Sequence, residues 1–130
     1  MSSIKSVLHM DKLVFDKIHF ERSGFKNQNS INYTLETHFA ENPQENIYRV
    51  TLILKGDKDD EYSFEISLTG FFSFGKDDGL DDSTKKELIS KNAVAIMMPY
   101  MRSQVSLLTA QPEVDCVVLP PFNINNLMKD

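Results

Sequence analysis

The stretch from Tyr62 to Phe74, YSFEISLTGFFSF, alternates between apolar and polar residues and decides the fold of the chain. Its apolar set is Tyr62, Phe64, Ile66, Leu68, Phe72 and Phe74, and its polar set is Ser63, Glu65, Ser67, Thr69 and Ser73. Because successive side chains of a strand point to opposite faces of a sheet, this pattern predicts a strand with one face on a core. Gly70 interrupts the apolar row, which indicates a bulge or a close backbone approach.

The segments before this strand continue the two-residue period. YRVTLILK, residues 48–55, alternates in the same way, and a polar loop, GDKDDE at residues 56–61, separates it from Tyr62. Two alternating segments joined by a short polar loop predict an antiparallel hairpin. A third segment alternates from Ile31 to Phe39. Together with one strand nearer the N-terminus, these segments predict a four-stranded antiparallel meander over about residues 12–74.

The strand nearest the N-terminus changes phase partway along. Leu13 and Phe15 share one parity, while Ile18 and Phe20 share the other. One extra residue in a strand reverses the facing of every residue after it. A bulge at Asp16–Lys17 would therefore place all four apolar side chains on one face.

The second half of the chain has the pattern of a helix. Thr84, followed three residues later by Glu87, fits a capping box. The helix is predicted over about residues 83–110 and ends before Pro112, since the residue preceding a proline resists the helical conformation. Residues 111–130 are then left for an extended linker and a short final helix. All 130 residues are expected to form one α+β domain, in which the long helix packs on the sheet.

The predicted helix is apolar on two sides, whereas a single sheet can cover only one. At 100° per residue, the first stripe consists of Val94, Met98, Met101, Val105 and Leu108. The second stripe consists of Ile89, Ala93, Ile96, Tyr100 and Leu107. Whichever stripe does not face the sheet is expected to contact another copy in a dimer or tetramer, and the first stripe is the candidate interface. The alternative is that the C-terminal linker folds back over the helix. Pro99, inside the helix, predicts a kink.

Composition and charge argue against several classes of protein. The net charge is −5 and the pI about 5.1, whereas nucleic acids and anionic membranes bind clustered Lys and Arg. No segment approaches the ~20 apolar residues of a membrane span, and the start lacks the pattern of a signal peptide. The single cysteine, Cys116, suits a reducing compartment and, among valines, is expected to be buried. These features predict a cytoplasmic protein without membrane insertion.

No constellation of residues in the sequence indicates an enzyme, a cofactor or a metal site. His9, His19 and His38 are scattered, with no cysteine or carboxylate at ligand spacing. The acidic loops at residues 57–61 and 77–82 lack the glycine and glutamate positions of an EF-hand. Neither a phosphate-binding glycine loop nor a nucleophile elbow occurs. We therefore expect no catalytic activity.

Motifs in the helix, the linker and the last strand resemble those of the SecB export chaperones. The helix has Met98, Pro99, Tyr100 and Arg102 where family members have an FPY-h-R core, h being apolar. The linker has Leu119, Pro121, Asn123, Ile124 and Leu127 where they have L-x-P-x-N-h-x-x-L. Gly70, Phe71 and Phe72 resemble the Gly-h-Phe element of their fourth strand. Four strands followed by a long helix are also the family's order, so the resemblance covers nearly the whole chain.

The resemblance implies a holdase chaperone rather than an enzyme. SecB-like proteins are homotetramers, built as dimers of dimers, that bind unfolded preproteins in long apolar grooves and deliver them to SecA. The groove candidates here are Phe71, Phe72, Phe74, Met98, Leu119, Pro121 and Phe122. For the linker residues among them, simple packing under the last helix is the alternative.

The resemblance also implies a SecA contact through acidic residues on the exposed sheet face. The matching positions are Glu21 and Glu65, whereas the third acidic position of the family falls on Lys17, beside Asp16. The sequence ends at Asp130, short of the family's C-terminal helix and acidic tail. Some SecB-like proteins act outside export and serve a toxin–antitoxin pair. A dedicated chaperone for one partner such as an antitoxin is therefore the alternative to an export holdase, and a ligand-binding or enzymatic use of the fold is disfavoured.

Overall fold

The computed structural model describes residues 8–75, 79–114 and 116–119 as a four-stranded sheet followed by a helix. The strands are β1 (Leu8–Arg22), β2 (Ile31–Asn42), β3 (Ile47–Lys58) and β4 (Tyr62–Phe74). The helix consists of α1 (Asp82–Leu88), one π-helical turn (Ile89–Ala93) and α2 (Val94–Thr109). This architecture confirms the predicted α+β class. The predicted short final helix lies outside the described residues.

The order of the strands differs from the expected meander. All neighbours are antiparallel, but the order is β1-β4-β3-β2, so β1 pairs with β4 and only β2 to β4 form a meander. The connection of residues 23–30 therefore crosses from one edge of the sheet to the other. It is held at the β3–β4 turn, where the backbone N–H groups of Ser23 and Gly24 donate to the carbonyl of Glu61 at 2.9 and 3.1 Å.

A buried ion pair fixes this crossover loop. Lys58 and Glu61, whose side chains are 3% and 1% exposed, lie 2.7 Å apart. Both also bind the loop backbone, since Lys58 donates to the carbonyl of Asn27 at 2.9 Å and Asn27 N–H donates to Glu61 Oε1 at 3.0 Å. A Cβ at Gly24 would lie 2.0 Å from the carbonyl oxygen of Asp60, so only glycine fits where the loop meets the turn.

The predicted bulge in β1 is confirmed. The pairing of β1 with β4 shifts register between Phe15 and Lys17, which leaves Asp16 as the extra residue. The carboxylate of Asp16 accepts a hydrogen bond from the hydroxyl of Thr69 on β4. A second shift, between Met10 and Lys12, was not anticipated.

The core lies between the sheet and the helix, as the alternation in β4 predicts. All six residues of its apolar set are buried, and so are Val50, Leu52 and Leu54 of β3. Gly70 marks the close approach of the helix, because an added Cβ would meet the Met97 sulfur at 3.0 Å and the Phe72 ring at 2.7 Å. The interpretation of Gly70 as a close-approach residue is therefore confirmed.

The helix begins at Asp82, and its cap differs from the predicted capping box. The N-cap is Asp81, whose side chain accepts a hydrogen bond from the backbone N–H of Thr84 at 2.8 Å. This bond and one from the Thr84 hydroxyl hold the pKa of the Asp81 carboxyl below its usual value. Thr84 thus lies inside the helix as a donor to the cap. The predicted end is confirmed, since α2 ends at Thr109.

The first apolar stripe faces this chain's own sheet, so its assignment to an interface between copies is wrong. Val94, Met101 and Val105 have no exposed surface, Met98 is 4% exposed, and Leu108 is half-buried. The π-helical turn adds one residue to the helical path, which rotates the preceding residues by roughly 100° relative to α2. Ile89 and Ala93 are consequently buried as well. Of the second stripe, Tyr100 and Leu107 remain exposed.

Candidate functional site

The most exposed apolar side chains of the helical half line a groove beside α2. Leu107 is 70% exposed and Val118, in the segment after the helix, is 76% exposed. The outer groove, as we name it, has a volume of about 640 Å³. It is lined by Pro99, Arg102, Ser103, Ser106, Leu107, Ala110, Cys116, Val118 and Leu119.

One wall of the outer groove is the segment 116–119, which folds back along α2. The Ser106 hydroxyl donates to the carbonyl of Val117 at 3.0 Å, and Val117 N–H donates to the Thr109 hydroxyl at 2.9 Å. Arg102 Nε donates to the carbonyl of Leu119 at 3.3 Å. The polar residues between the two apolar stripes therefore anchor the linker backbone. Over residues 116–119 the linker folds back along the helix, as in the alternative, but Tyr100 and Leu107 of the second stripe stay exposed.

Because the segment 116–119 is extended, its side chains alternate between the core and the solvent. Val117 and Leu119 point inward and are buried, whereas Cys116 and Val118 are exposed. The expectation that Cys116 is buried is thus wrong, because alternation in an extended segment places it on the outer side with Val118. Its sulfur lies 3.9 Å from the carbonyl of Ser106.

The outer groove combines apolar contact with polar groups. Leu107 and Val118 are exposed on its two sides. On the helix, Ser103 lies one turn before Leu107, and the exposed Pro99 lies one turn before Ser103. Pro99 lacks an N–H, so the carbonyl of Ala95 has no helical donor. Both residues are exposed, and water or a ligand can therefore satisfy that carbonyl.

A second groove lies where β2 meets the start of the helix. Its volume is about 490 Å³, and it is lined by Phe39, Ala40, Glu41, Tyr48, Lys86, Glu87, Ile89 and Ser90. Phe39 is exposed because β2 is an edge strand, and an ion pair of 3.5 Å between Lys86 and Glu41 lies at the rim. Sequence reasoning missed this site, although the two-residue alternation had already placed Phe39 on the apolar face.

The five predicted groove residues that the structure describes do not come together in one groove. Phe72, Phe74 and Met98 are buried in the core, so their assignment to a groove floor is wrong. Phe71 lies on the opposite face of the sheet, as its pairing with Lys12 and Arg49 requires. Leu119 lines the outer groove from beneath, and Pro121 and Phe122 lie outside the described residues.

Glu21 and Glu65, the candidates for the SecA contact, lie on the sheet face opposite the helix. Glu65 pairs with His19 in the sheet register and forms an ion pair of 3.3 Å with Lys17. Glu21 lies 3.7 Å from His19 Nε2. Both carboxylates therefore have basic neighbours, and this part of the face carries mixed charge.

The part of the chain that the structure describes contains neither a metal-binding cluster nor a helix that could span a membrane. No group of three or more His, Cys, Asp or Glu side chains is placed to hold a metal ion there. Among the same residues, no helix has the length and apolar character needed to cross a membrane.

Comparison with known proteins gives one sequence relative and no family model. No protein-family model matches the chain. The uncharacterised protein MJ0357 of Methanocaldococcus jannaschii is 27% identical over 105 residues, which cover 76% of this chain and 64% of that protein. The chain therefore spans less than two thirds of the length of this relative.

Solved structures provide the informative likeness. The Mycobacterium tuberculosis SecB-like chaperone Rv1957, solved in complex with a ChAD peptide from the Rv1956 HigA1 antitoxin, superimposes with a TM-score of 0.76. The match covers 92% of this chain and 91% of that chain at 11% identity. A Streptococcus agalactiae protein of unknown function aligns at only 0.47, with 8% identity over 87% of this chain and 96% of that chain. The chain therefore has the fold of a SecB-like chaperone, and the resemblance drawn from its motifs is confirmed at the level of fold.

Proposed function

We propose that this protein is a chaperone that holds non-native polypeptide segments in the outer groove. The observation that carries the proposal is the exposure of Leu107 and Val118 on either side of a groove in a SecB-like fold. Exposed apolar side chains that cluster around a groove mark a surface that a partner covers.

The chemistry of the groove suits many clients rather than one small ligand. Burying an exposed Leu or Val fully contributes about 1.5–3 kcal/mol, so two such residues provide a modest affinity. Ser103 adds a hydroxyl group that can bind the backbone of an extended client, and the Ser106 hydroxyl, which donates its proton to Val117, can still accept a hydrogen bond. Such binding would be reversible and weakly selective, as a holdase requires.

The test is suppression of aggregation. The chain, added in equimolar amount to a chemically unfolded client without nucleotide, is expected to slow the rise of light scattering after dilution. Leu107→Glu should weaken this effect at least severalfold, because a carboxylate in the groove opposes apolar contact. Ile47→Glu is the matched control, since Ile47 is also exposed but lies in β3, away from the groove. No effect of wild type, or equal losses in both variants, would contradict the proposal.

A second candidate is a dedicated chaperone for one partner such as an antitoxin. It is supported by the solved neighbour, whose bound peptide comes from an antitoxin. A C-terminal peptide of one protein encoded by an adjacent gene would then bind to this chain at least tenfold more tightly than unrelated unfolded peptides. Equal affinities would favour the general holdase and contradict the dedicated role.

The same proposal includes export, a cytoplasmic location and a SecA contact through Glu21 and Glu65. It also includes self-association to a dimer or tetramer. For self-association, the available surface is the exposed face of α2 around Tyr100, since the Val94 stripe is buried. Light scattering should give a mass above 14.9 kDa that falls in Tyr100→Glu. A monomeric wild type would contradict self-association while leaving the holding activity to be tested separately.

A further inference from the structure

Strand β2 forms one edge of the sheet and lacks the features that usually keep sheet edges apart. Within the part of the chain that the structure describes, it pairs with β3 alone, from Ile31 to Asn42 and without a register shift. Its sequence, INYTLETHFAEN, contains no proline, glycine or lysine. A long and regular edge presents a row of backbone N–H and C=O groups with which a further strand can pair.

The opposite edge of the sheet, β1, is less suited to a further strand. Its pairing with β4 shifts register twice, which leaves Asp11 and Asp16 as extra residues. Bulges increase the local twist of an edge and interrupt its row of backbone groups, and charged side chains add to this protection. Of the two edges, β2 is therefore the one that favours the addition of a strand.

On the helix side, the β2 edge carries an apolar surface that the described chain leaves uncovered. Phe39 is 45% exposed, and it lines the second groove together with Tyr48 and Ile89. Leu35 lies on the same face of β2, two residues before Thr37, and is buried. A strand paired with β2 would cover Phe39 and close the second groove from the side.

The sequence of β2 is complementary to itself in one antiparallel register. When Thr37 of two copies lies opposite itself, Leu35 faces Phe39 and Glu36 faces His38 on both sides of the centre. Apolar side chains then meet on the helix side, and carboxylates meet imidazoles on the other side. Glu36 and His38 already lie 3.5 Å apart within one copy, so the two copies bring two such pairs together.

Other registers of the same kind are less favourable. Moving the centre by one residue places Glu36 opposite Glu36 or His38 opposite His38, and like charges directly opposite each other destabilise a pair of strands. Centres further from Thr37 lose the pairing of Glu36 with His38 and shorten the ladder. The side chains therefore select one register.

We propose that two copies of this chain pair along β2, antiparallel and about a two-fold axis at Thr37, to form one eight-stranded sheet. Residues 32–42 of each copy pair in this register and form about 10–12 main-chain hydrogen bonds. Both helices lie on the same side of the joined sheet, because the two-fold axis is perpendicular to it. This interface goes beyond the proposed function, since it uses neither the outer groove nor the face of α2 around Tyr100.

Disulfide cross-linking tests the register, in a Cys116→Ser background that removes the single native thiol. Thr37→Cys should form a covalent dimer on mild oxidation, because residues opposite each other in antiparallel strands have Cα atoms about 4.5–5.5 Å apart, which a disulfide spans. Glu36→Cys alone should form at least tenfold less dimer, since its two copies lie about 8 Å apart. An equimolar mixture of Glu36→Cys and His38→Cys should cross-link, because these two positions are opposed.

Charge reversal tests the same register through the mass in solution. His38→Glu places carboxylates opposite Glu36 and should raise the Kd of the dimer about three- to tenfold. Glu36→Lys/His38→Glu restores opposite charges and should recover the wild-type Kd. The matched control is Ser73→Glu, which adds the same charge on β4 away from this edge and should change the Kd less than twofold.

Three results would overturn the proposal. The first is that Thr37→Cys forms no covalent dimer, or no more than Glu36→Cys does. The second is preferential cross-linking of Val14→Cys, an exposed position of β1, which would place the pairing at that edge. The third is that Thr37→Cys forms mixed disulfides with a cysteine-bearing unfolded client but not with itself, which would assign the β2 edge to clients.

The outcome for β2 is separable from the proposed holding function. Suppression of aggregation is measured on wild type and Leu107→Glu, whereas the pairing of β2 is measured by cross-links at residues 36–38. Tyr100→Glu, which tests the face of α2, should leave the cross-link of Thr37→Cys intact. Failure of either proposal therefore leaves the other standing.

Discussion

At the scale of single residues, the buried pair of Lys58 and Glu61 is the feature with the largest structural consequence. Sequence reasoning treated residues 56–61 as a solvated polar loop, because charged residues between two strands usually face water. The structure instead buries this pair against Asn27 of the crossover loop. Its role depends on contacts between segments about 30 residues apart, and no local pattern in the sequence reveals them.

Breaking this pair should destabilise the fold strongly. In Glu61→Ala the Lys58 ammonium loses its partner while it stays buried, and such changes cost about 3–5 kcal/mol of the free energy of unfolding. Urea denaturation measures the loss. The double variant Lys58→Met/Glu61→Leu should recover part of it, because no buried charge remains although the N–H and carbonyl of Asn27 lose their partners. A loss below about 1 kcal/mol in Glu61→Ala would show that the pair does not hold the crossover.

The cap residue Asp81 makes a prediction about pH. Its pKa is lowered in the folded chain by hydrogen bonds from Thr84, so the charged form favours folding. This contribution is fully present above the unfolded pKa of about 3.9 and is lost as pH falls through the lower, folded pKa. Asp81→Ala should therefore unfold at lower urea than wild type at pH 7, and the gap should close in acid. Asp82→Ala, which removes the adjacent carboxylate but not the cap, is the control, and a pH-independent gap would contradict this role.

At the scale of elements, the sequence predicted each strand and the extent of the helix but not how they face one another. Alternation in β3 and β4 assigned their buried faces correctly, and the phase change in β1 located its bulge at Asp16. The position of β1 beside β4 could not be predicted, because antiparallel strands with one apolar face fit a sheet in either order. The prediction of which helix stripe is an interface was wrong, because both stripes are apolar and no signal in the sequence indicates the π-helical turn.

The facing of α2 can be tested by comparing two truncations. Met101→Ala removes a side chain with no exposed surface and should lower the free energy of unfolding by about 2–5 kcal/mol. Leu107→Ala removes one that is 70% exposed and should change it by less than about 0.5 kcal/mol. Urea denaturation of both variants provides the measurement. Similar losses in the two would mean that α2 is rotated relative to the structure described here.

At the scale of the whole molecule, the sheet separates two surfaces of different chemistry. The helical side presents the outer groove with Leu107 and Val118, and the sheet face opposite the helix presents Lys12, Phe71 and Arg49. The sequence motifs indicated the fold and a polypeptide-binding role, but they placed the groove on core residues. The sequence did not identify Leu107 and Val118 as groove residues, because the groove exists only where the linker folds back along α2. Hydrogen bonds from side chains between the two apolar stripes to the linker backbone hold that fold-back.

The most direct measurement uses the single cysteine of the chain, which lines the outer groove. With an environment-sensitive fluorophore on Cys116, an unfolded client should shift the emission to shorter wavelength in a saturable way, because bound polypeptide excludes water. The same fluorophore in Cys116→Ser/Ile47→Cys, on β3, should not respond. If the chain suppresses aggregation while the Cys116 label stays silent and the Ile47→Cys label responds, clients bind elsewhere and the account of the outer groove is wrong.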